Sequence, residues 1–438
     1  MTVKPVSRFL LCLGLAGAVL LPTSPARAGG IQLWELGTPD VGLAAAGWSA
    51  RAQDAATLFK NPAGMNLLEV PQLEVGLQLA YGQFGFEAGS GTTVPGNNGG
   101  NPVGLLPGGS LFWAQSVTDV VAIGIGVFSY FGAALNFDDE FVGRYTVEET
   151  LLLGVTLMPA VSFQITDWFS LGAGFNIMFG IFDFKEAVNN PPPPIGAPDG
   201  RLSVDDTDFG FGGDVGVLFS IKEKTRLGLT YLSPVRLNFE LPTNFTGLGP
   251  TLTAALGMSG LLTSTINADI KVPQSLVLSV YHDFNETWAL MGNLGWQDWS
   301  QFGLIGITVQ SVDTMSLVVD RQYKDTAHVA IGTRVRPVEQ WILSLGFAYD
   351  SSAVTDENRT LDAPMGQAFR FGLGAEWVIV PAVGLGLAYT LAWFGDMPVN
   401  QPGGPLNGDV VGSYDKTALH FIALSLQWNI GAKKDTDG

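Results

Sequence analysis

The sequence is poor in charged side chains for its size. Charged residues make up only 14% of the 438 residues, and hydrophobic residues reach 47%, whereas about 25% of an ordinary soluble protein is charged. This deficit argues against a typical cytosolic enzyme, and the hydrophobic content excludes a disordered chain. The 22 Lys and Arg residues stand against 40 Asp and Glu residues, which argues against a nucleic-acid partner because acidic surfaces repel phosphate.

The first 28 residues have the layout of a secretory signal peptide. Lys4 and Arg8 precede the apolar run Phe9–Leu21, and Ala26–Ala28 supplies small residues before a cleavage point. A membrane anchor is the alternative, but a spanning helix needs about 20 apolar residues, and this run has 13. We therefore expect residues 1–28 to be removed and the mature chain to begin at Gly29.

Cysteine is absent from the expected mature chain. The only cysteine, Cys12, lies in the signal peptide, whose removal also changes the net charge from −18 to −21 because Lys4, Arg8 and Arg27 are lost. Disulfides and thiolate metal sites are excluded. Stability must then come from packing or from burial in a membrane.

Long apolar runs are also missing after the signal peptide, so the mature sequence predicts no transmembrane helix. Apolar residues instead alternate with small or polar ones at a period of two, most clearly in 121–127, 169–181 and 383–393. Strands of this length are typical of membrane barrels. The alternative, a secreted soluble β-protein, would have shorter strands and a polar outer face.

Short turns and long polar stretches alternate between these strands. The long stretches lie at 87–109, 133–153, 183–208, 238–271, 300–325, 350–367 and 395–416. Six hairpins, a first strand at 73–86 and a last strand at 418–430 give fourteen strands. This pattern predicts an all-β fold, a 14-stranded antiparallel transmembrane β-barrel over 72–430 in the bacterial outer membrane. Residues 431–438 are expected to form a disordered periplasmic tail.

Residues 29–71 precede the first strand and do not share its alternation. They contain a predicted short helix near Arg51–Leu58 and a turn at Asn61-Pro62-Ala63-Gly64. Fourteen strands enclose more room than their side chains fill, and glycine weakens a strand unless another backbone approaches it. Glycines recur at inward positions: Gly124, Gly126, Gly172, Gly174, Gly210, Gly212, Gly216, Gly372, Gly374, Gly384 and Gly386. We therefore predict that residues 29–71 form an N-terminal hatch inside the lumen.

Several motifs are spread in order over nearly the whole mature chain. They are Ala50–Met65, Gly143–Tyr145, Thr225–Tyr231 with Ser233–Val235, Trp296–Ser300, Tyr323–Thr326 and Tyr349–Val354. Together they resemble the FadL/OmpP1/TodX family of outer-membrane transporters for long-chain fatty acids and aromatic hydrocarbons. The resemblance implies a 14-stranded barrel with a hatch. It also implies passive uptake, in which a hydrophobic ligand is captured outside, held in the lumen and released sideways into the membrane.

The resemblance further implies that the lateral exit comes from an inward kink in strand three, against which the hatch turn packs. Strand three is placed at 120–132 and contains three aromatic residues in its last five positions: Phe128, Tyr130 and Phe131, followed by Gly132. Successive side chains of a strand point to opposite faces, so this run predicts a bend. Gly132 is expected to permit the bend, and Asn61 to cover the freed backbone.

The stretch 238–271 is unusually apolar for an extracellular loop. Its large apolar residues are Leu248, Leu252, Leu256, Met258, Leu261 and Leu262. Leu252 and Leu256 share one face of a helix, and exposed apolar patches mark interaction sites. We interpret this loop as an external capture site for an apolar ligand, with simple packing over the barrel as the alternative.

Three arginines have the inward phase of strands ten and twelve: Arg334, Arg336 and Arg370. A guanidinium in the lumen can bind the carboxylate of a fatty acid. Arg370 is the candidate because it lies nearest the extracellular half. The alternative is a structural role in ion pairs with hatch groups or with inward acids, namely Glu74, Asp214 or Glu376.

Other function classes stay open at this point: a non-selective porin, a structural barrel or adhesin, and an outer-membrane hydrolase. The small inward residues and the leading segment argue against an open porin. A hydrolase needs a nucleophile beside a base, but His282, His328 and His420 fall on strands eight, ten and fourteen without a nucleophile motif. We therefore expect no enzyme activity.

The sequence predicts no cofactor and no metal. The acidic stretches Asp138–Glu140 and Asp205–Asp208 lack the spacing of a calcium loop, although calcium bridging to lipopolysaccharide is the alternative to plain solvation. The expected partners are a hydrophobic small molecule, outer-membrane lipid, lipopolysaccharide and the barrel-assembly machinery. The expected state is a monomer without nucleic acid.

Overall fold

A computed structural model describes residues 32–190, 198–222, 224–311 and 314–432. The predicted signal peptide, the first residues of the predicted hatch and most of the predicted tail lie outside these ranges. No helix of the described residues is long and apolar enough to cross a membrane.

The described residues form nineteen strands, numbered β1 to β19 along the chain, of which fourteen make up the barrel. The barrel strands are β1 (Gln72–Ala88), β2 (Gly104–Ser116), β3 (Val121–Asn136), β4 (Glu149–Thr166), β5 (Phe169–Val188), β6 (Gly200–Ile221), β7 (Thr225–Leu232), β11 (Ser275–Asp283), β12 (Trp288–Gln297), β15 (Thr326–Val338), β16 (Trp341–Asp350), β17 (Ala368–Val380), β18 (Val383–Pro402) and β19 (Asp409–Asn429).

Each barrel strand pairs antiparallel with the barrel strands before and after it in the chain. The last strand, β19, pairs with β1 from Gln72 opposite Asn429 to Ala88 opposite Gly412, which closes the sheet. Closure pairs the first strand with the last, so neither is left as a free edge in the lipid bilayer. The predicted 14-stranded antiparallel barrel is confirmed.

The outer wall is apolar because the alternation of the sequence follows the pleat of the strands. In β11, for example, Leu276, Leu278 and Val280 are exposed on the outside, while Val277 and Tyr281 are buried inside. Tryptophans near the short turns are exposed to the surroundings: Trp168, Trp288, Trp341, Trp377 and Trp428. Their position is typical of the aromatic girdle at a membrane interface.

The long stretches contain more regular structure than the sequence predicted. The five remaining strands are β8 (Val235–Pro242), β9 (Asn244–Thr246), β10 (Thr265–Val272), β13 (Leu304–Gln310) and β14 (Thr314–Asp320). Four of them form a separate sheet in the order β14-β13-β10-β8, and β9 pairs with β6. The long stretches also contain three short helices: α2 (Pro250–Met258) between β9 and β10, α3 (Trp299–Phe302) between β12 and β13, and α4 (Gly404–Asn407) between β18 and β19.

The segment before β1 lies inside the barrel and is called the hatch below, over its described residues 32–71. It contains a 3-10 helix at Pro39–Leu43, the helix α1 at Thr57–Lys60 and a second 3-10 helix at Pro62–Leu67. The first 3-10 helix packs against β15–β19, and the second packs against β2–β6. The hatch therefore contacts opposite sides of the inner wall.

Wall glycines let the hatch backbone approach closely. A Cβ on Gly346 would overlap the carbonyl oxygen of Leu43, and a Cβ on Gly228 would overlap that of Ser49. Six of the predicted inward glycines also lie beside hatch atoms, which explains why these positions have no side chain: Gly124, Gly126, Gly172, Gly216, Gly372 and Gly374.

Five of the predicted glycines instead lie beside groups of the barrel or its extracellular extension: Gly174, Gly210, Gly212, Gly384 and Gly386. The nearest atoms to a Cβ on Gly384 or Gly386 belong to barrel strands, such as the side chain of Ser425. The nearest atoms to Gly210 and Gly212 are mostly those of Val235 and its neighbours on β8. The prediction that these glycines lie beside the hatch is wrong. Gly210 and Gly212 are covered by β8 and the residues before it, Gly174 meets the Met158 side chain of β4, and Gly384 and Gly386 meet neighbouring barrel strands.

Candidate functional site: a bulged strand, a hatch and a lumen cavity

Strand β3 carries a β-bulge inside its aromatic run. Phe128 lies opposite Thr156 of β4, and Phe131 lies opposite Gly154, so two residues of β3 face one residue of β4. The hydroxyl of Ser129 donates to the carbonyl oxygen of Gly154 over 2.8 Å. Side-chain bonding thus replaces part of the interrupted ladder.

The bulge turns the aromatic residues of β3 into the lumen. Phe128, Tyr130 and Phe131 are all buried, each with at most 1% exposure. Gly132 does not form the bend, because it pairs regularly with Leu153. The sequence predicted a bend in this run, but its assignment to Gly132 is wrong, since the extra residue lies before Phe131.

Beside the bulge, β2 and β3 stop pairing. Their ladder runs only from Ser116 opposite Ala122 to Leu111 opposite Val127. Beyond that point β1 is the one barrel strand that pairs with β2, as far as Gly104, and β4 is the one barrel strand that pairs with β3. Residues 104–110 of β2 and 128–136 of β3 therefore border an interruption in the barrel wall.

The chemistry of β2 fits an unpaired edge. This part of the strand contains Pro107, which has no N–H to donate and is tolerated where no neighbouring strand needs one. The next residue, Gly108, has no side chain, and a Cβ there would meet only the Gln78 side chain, at 3.8 Å. The inner rim of the interruption is therefore sterically open at Gly108.

The hatch covers the bulged backbone through residues that the sequence analysis did not identify. The N–H of Leu33 donates to the carbonyl oxygen of Tyr130 over 2.8 Å, and Gln32 forms an isolated antiparallel bridge with Phe131. The ring of Phe59 packs on Phe128 and Tyr130, with centroid distances of 4.4 and 5.1 Å. The aromatic residues of the hatch, such as Phe59, were the one feature of the sequence that could have indicated this contact.

The hatch turn Asn61-Pro62-Ala63-Gly64 lies elsewhere, against β5 and β6. The side-chain amide of Asn61 donates to the carbonyls of Ser49, at 2.7 Å, and of Val217 on β6, at 3.0 Å. A Cβ on Gly216 would overlap the Asn61 oxygen, and one on Gly172 would overlap the backbone at Pro62 and Ala63. The prediction that Asn61 covers strand three is wrong, because these glycines bring the turn to another part of the wall.

A cavity of about 110 Å³ lies in the lumen above the hatch. It is lined mainly by apolar side chains, which include Leu33, Trp34, Phe84, Ala133, Leu135, Trp299, Met365, Phe394, Leu419 and Phe421. Its charged lining residues are Asp350, Asp362 and Arg370. Such a space, largely apolar with a few polar groups, is typical of a small-molecule site.

Arg370 lines the cavity but is paired with two carboxylates. Its Nε lies 2.7 Å from Asp350 Oδ2, and its Nη1 lies 2.5 Å from Glu35 Oε1 in the hatch. Asp350 also contacts His328, whose ring stacks on Trp34 at 4.2 Å. Arg370 therefore forms ion pairs of the kind expected for a structural role: Glu35 is a hatch group, as that alternative allowed, whereas Asp350 is not one of the three inward acids named for it.

The other two predicted arginines do not line this cavity. Arg334 pairs with Glu376 at 3.0 Å and contacts Gln53 of the hatch. Arg336 is exposed and lies at the periplasmic end of β15, where its N–H donates to Thr287 O over 2.8 Å. Arg336 lies in a bulge between Val335 and Val338, where two residues of β15 face one residue of β16.

A second, smaller cavity of about 20 Å³ lies next to the bulge. Gln32, Leu33 and Trp34 line both cavities, and Tyr130 and Asp214 line only the second. Asp214 is 1% exposed, and neither of its carboxylate oxygens has a hydrogen-bond partner among the described residues. The Tyr130 hydroxyl likewise has none.

The predicted capture residues lie on and beside α2 at the extracellular side. Leu252 and Leu256 are partly exposed on α2, which contains no buried residue. Met258 is 82% exposed, and Leu248, Leu261 and Leu262 are partly exposed. An apolar surface is thus present at the predicted place, and its role stays a prediction.

The three histidines are not brought together. His282 Nδ1 contacts Thr225 Oγ1 at 2.8 Å, and His420 Nδ1 contacts Tyr389 Oη at 2.8 Å. They lie on β11 and β19, whereas His328 lies on β15. The histidine positions that the sequence assigned to barrel strands eight, ten and fourteen agree with the structure.

An ion pair outside the membrane-spanning strands fixes the cavity's upper wall. Arg321 Nη2 donates to Asp362 Oδ2 over 2.6 Å, and its Nη1 donates to Asp362 Oδ1 over 3.1 Å. Burial alone would raise the pKa of Asp362, but the Arg321 guanidinium holds this pKa below its ordinary value. The carboxylate is therefore the stable form, and it joins the loop after β16 to the loop after β14.

Comparison with known proteins agrees with this geometry. A family model described as outer membrane protein transport protein (OMPP1/FadL/TodX) matches residues 19–428. The long-chain fatty acid transport protein of Escherichia coli O6:H1 is 25% identical over 80% of this chain and 83% of its own. Outer membrane protein P1 of Haemophilus influenzae is 26% identical over 86% of this chain and 88% of its own.

Solved structures share the fold. A FadL homologue of Pseudomonas aeruginosa superposes with a TM-score of 0.79 and 22% identity, over 91% of this chain and 99% of the other. The toluene transporter TodX of Pseudomonas putida superposes with a TM-score of 0.63 and 17% identity, over 88% and 99%. Because the family model spans nearly the whole sequence, this chain belongs to the OMPP1/FadL/TodX family of outer-membrane transport proteins, as its motifs predicted.

Proposed function

We propose that this protein takes up hydrophobic molecules passively across the outer membrane, either long-chain fatty acids or aromatic and aliphatic hydrocarbons. Relatives are named for long-chain fatty acids and for toluene. In this proposal the ligand is captured outside, occupies the lumen cavity and leaves sideways between β2 and β3.

The observation that carries the proposal is the interrupted ladder between β2 and β3. Unpaired backbone in a bilayer is costly, and it is tolerated only where protein covers it or where it lines a cavity. Here the hatch residue Leu33 binds Tyr130 from the inside, and the second cavity adjoins the same residues. An interruption that was only a folding defect would not coincide with a bulge, a cavity and a cover.

The hatch supports this route over the porin alternative. Its backbone contacts the wall on nearly opposite sides of the lumen, at Gly346 on β16 and at Gly172 on β5. A hydrophilic solute would need an open aqueous lumen, whereas a hydrophobic ligand gains from leaving water at each step. The partly exposed leucines of α2 supply an apolar surface for the first step.

The proposal also covers the partners of the barrel and its oligomeric state. A closed barrel with an apolar outer wall contacts outer-membrane lipid and lipopolysaccharide and needs no second copy to complete its sheet. We therefore infer a monomer that is inserted by the barrel-assembly machinery. The family consists of transport proteins, and we infer that this chain has no catalytic activity.

Gly108 offers the sharpest test of the lateral route. A Cβ there meets only the Gln78 side chain, at 3.8 Å, so Gly108→Trp should fill the inner rim without displacing backbone. Gly85→Trp is the matched control, because a Cβ on Gly85 meets no atom within 4 Å but Gly85 lies on β1, at its extracellular end.

Cells that express each variant are given radiolabelled oleate or toluene, and initial uptake is measured. We expect Gly108→Trp to slow the uptake of at least one ligand about tenfold, equivalent to about 1.4 kcal/mol on the barrier, and Gly85→Trp to leave it unchanged. Uptake by Gly108→Trp at the unmodified rate for every transported ligand would contradict a lateral exit.

A further inference from the structure

We propose that the lumen of this protein selects uncharged hydrophobic molecules and discriminates against those that carry a carboxylate. The inference rests on the proposed function and narrows its substrate class. The cavity is then expected to bind a hydrocarbon or a ligand with one uncharged oxygen. A fatty acid would bind only when its carboxyl group is protonated.

The first observation is the state of Arg370. Among the described residues, it is the one cationic side chain that lines the larger cavity. Asp350 and Glu35 lie 2.7 and 2.5 Å from its nitrogens, and Arg370 and Glu35 are nearly inaccessible, with 8% and 2% side-chain exposure. Its positive charge is therefore already neutralised by groups of the protein.

The second observation is the balance of charge around the cavity. Arg321, which lies behind the wall, is paired with Asp362, a lining residue. The charged lining residues and their ion-pair partners are counted together, with histidine as neutral. They comprise two guanidinium groups, those of Arg370 and Arg321, and three carboxylates, those of Glu35, Asp350 and Asp362. The cavity is thus surrounded by a net negative charge.

A ligand carboxylate in this cavity would be a further like charge. If it approached Arg370, it would stand beside both carboxylates that already hold that residue, and like charges repel strongly where water is scarce. If it displaced one of them, a buried carboxylate would lose its partner, which is also costly. Neither arrangement favours an anion.

An uncharged oxygen avoids both penalties. The third nitrogen of Arg370, Nη2, makes no hydrogen bond with the described part of the chain. It can donate to a neutral hydroxyl, ether or carbonyl oxygen without disturbing either ion pair. A pure hydrocarbon needs only the apolar lining.

The smaller cavity beside the bulge extends the same preference. No cationic side chain of the described residues lines it, and its acid, Asp214, has two oxygens without partners. The neighbouring Tyr130 hydroxyl is also unpaired. An uncharged polar group of a ligand can form hydrogen bonds with Asp214 and Tyr130, whereas an anionic group would lie near no positive charge.

The test compares two ligands of one chain length, dodecan-1-ol and dodecanoate, at pH 8, where a fatty acid in water is ionised. The full-length mature protein is placed in nanodiscs, and binding is measured by titration calorimetry against empty nanodiscs. We expect dodecan-1-ol to bind at least about tenfold more tightly, as one unfavourable unit charge at close range predicts.

Glu35→Gln separates charge from shape. Glutamine keeps an oxygen for Arg370 but removes one negative charge, so the preference for dodecan-1-ol should fall several-fold. Glu376→Gln is the matched control, since Glu376 pairs with Arg334 away from the cavity, and it should keep the preference.

The outcomes separate the two claims. Equal binding of both ligands, tighter binding of dodecanoate, or an unchanged preference in Glu35→Gln would overturn the inference while uptake of hydrophobic molecules stands. Binding of neither ligand would count against the proposed function and the inference together.

Discussion

The carbonyl oxygen of Tyr130 accepts a hydrogen bond from the backbone N–H of Leu33, over 2.8 Å. Tyr130 belongs to the bulge of β3 and Leu33 to the hatch, so the hatch supplies to β3 a backbone partner that β2 does not. Leu33 and its two neighbours in the hatch, Gln32 and Trp34, line both cavities. The lumen site and the interruption of the wall are therefore joined by one short segment.

The Leu33 hydrogen bond should limit the opening of the bulge. Leu33→Pro removes the donor, which is worth about 1 kcal/mol, so amide hydrogen exchange in residues 128–132 should become about fivefold faster. Leu33→Ala keeps the donor and is the control. Equal exchange in the two variants would show that the backbone bond does not hold the bulge.

The close approach of the hatch to glycines should be sensitive to a side chain. Gly346→Val places atoms where the Leu43 carbonyl lies, so the hatch must shift and single-channel ion conductance should rise several-fold. Gly85→Val, at a glycine with open space, is the control. If Gly346→Val conducts as little as Gly85→Val, this contact does not seal the lumen.

Asn61 should stabilise the position of the hatch rather than the bulge. Its side chain makes three hydrogen bonds, to Ser49, Val217 and Ala63, so Asn61→Ala should cost about 2–3 kcal/mol in hatch stability. Asn66→Ala, which removes one bond to Ser162, should cost less. Protease cleavage within the hatch of the folded barrel measures both, and equal cleavage would contradict the assignment.

The Arg321–Asp362 pair should fail only in acid. The pKa of Asp362 is lowered in the fold, so its stabilising effect is complete above the unfolded pKa of about 4 and is lost as pH falls through the lower folded value. A fluorophore on Glu357→Cys should report a rigid loop at pH 7 and 5 and a mobile one only below about pH 4.

The same probe in Asp362→Asn provides the comparison. That variant removes the carboxylate and should be mobile already at pH 7. A loop that loosens near pH 6 in the otherwise unmodified chain, or a rigid loop in Asp362→Asn, would show that another contact holds the upper wall.

The barrel was predictable from sequence because each crossing is encoded locally. Alternation at a period of two fixes which side chains of β11 face lipid, and the short turns fix the order of pairing. The separate extracellular sheet was not predictable, since β10 pairs with β13, about forty residues later in the sequence, from Asp269 opposite Gly306 to Thr265 opposite Gln310, and neither strand carries a local signal for its partner.

The site was predicted only in part for a related reason. The aromatic run of β3 by itself predicted a bend. The position of the bend depends on which β4 residue lies opposite each aromatic residue, and this register cannot be read from the run. The partners of Arg370 come from the adjacent strand and from the hatch, at Asp350 and Glu35. Contacts between distant segments of this kind leave no trace in the periodicity of either one.

Removal of the bulge tests the lateral exit most directly. Deletion of Ser129 leaves one residue of β3, Tyr130, opposite one residue of β4, Val155, so the ladder can continue. Phe131 stays opposite Gly154, and Tyr130 turns from the lumen to the outer face. Deletion of Arg336 is the matched control, because it shortens another bulge, near the periplasmic turn between β15 and β16.

The measurement is the initial uptake of radiolabelled oleate and toluene by cells that carry equal amounts of heat-modifiable barrel. We predict that deletion of Ser129 lowers uptake about tenfold, equivalent to about 1.4 kcal/mol on the barrier, and that deletion of Arg336 leaves it unchanged. Uptake at the unmodified rate after deletion of Ser129 from a folded barrel would contradict release between β2 and β3.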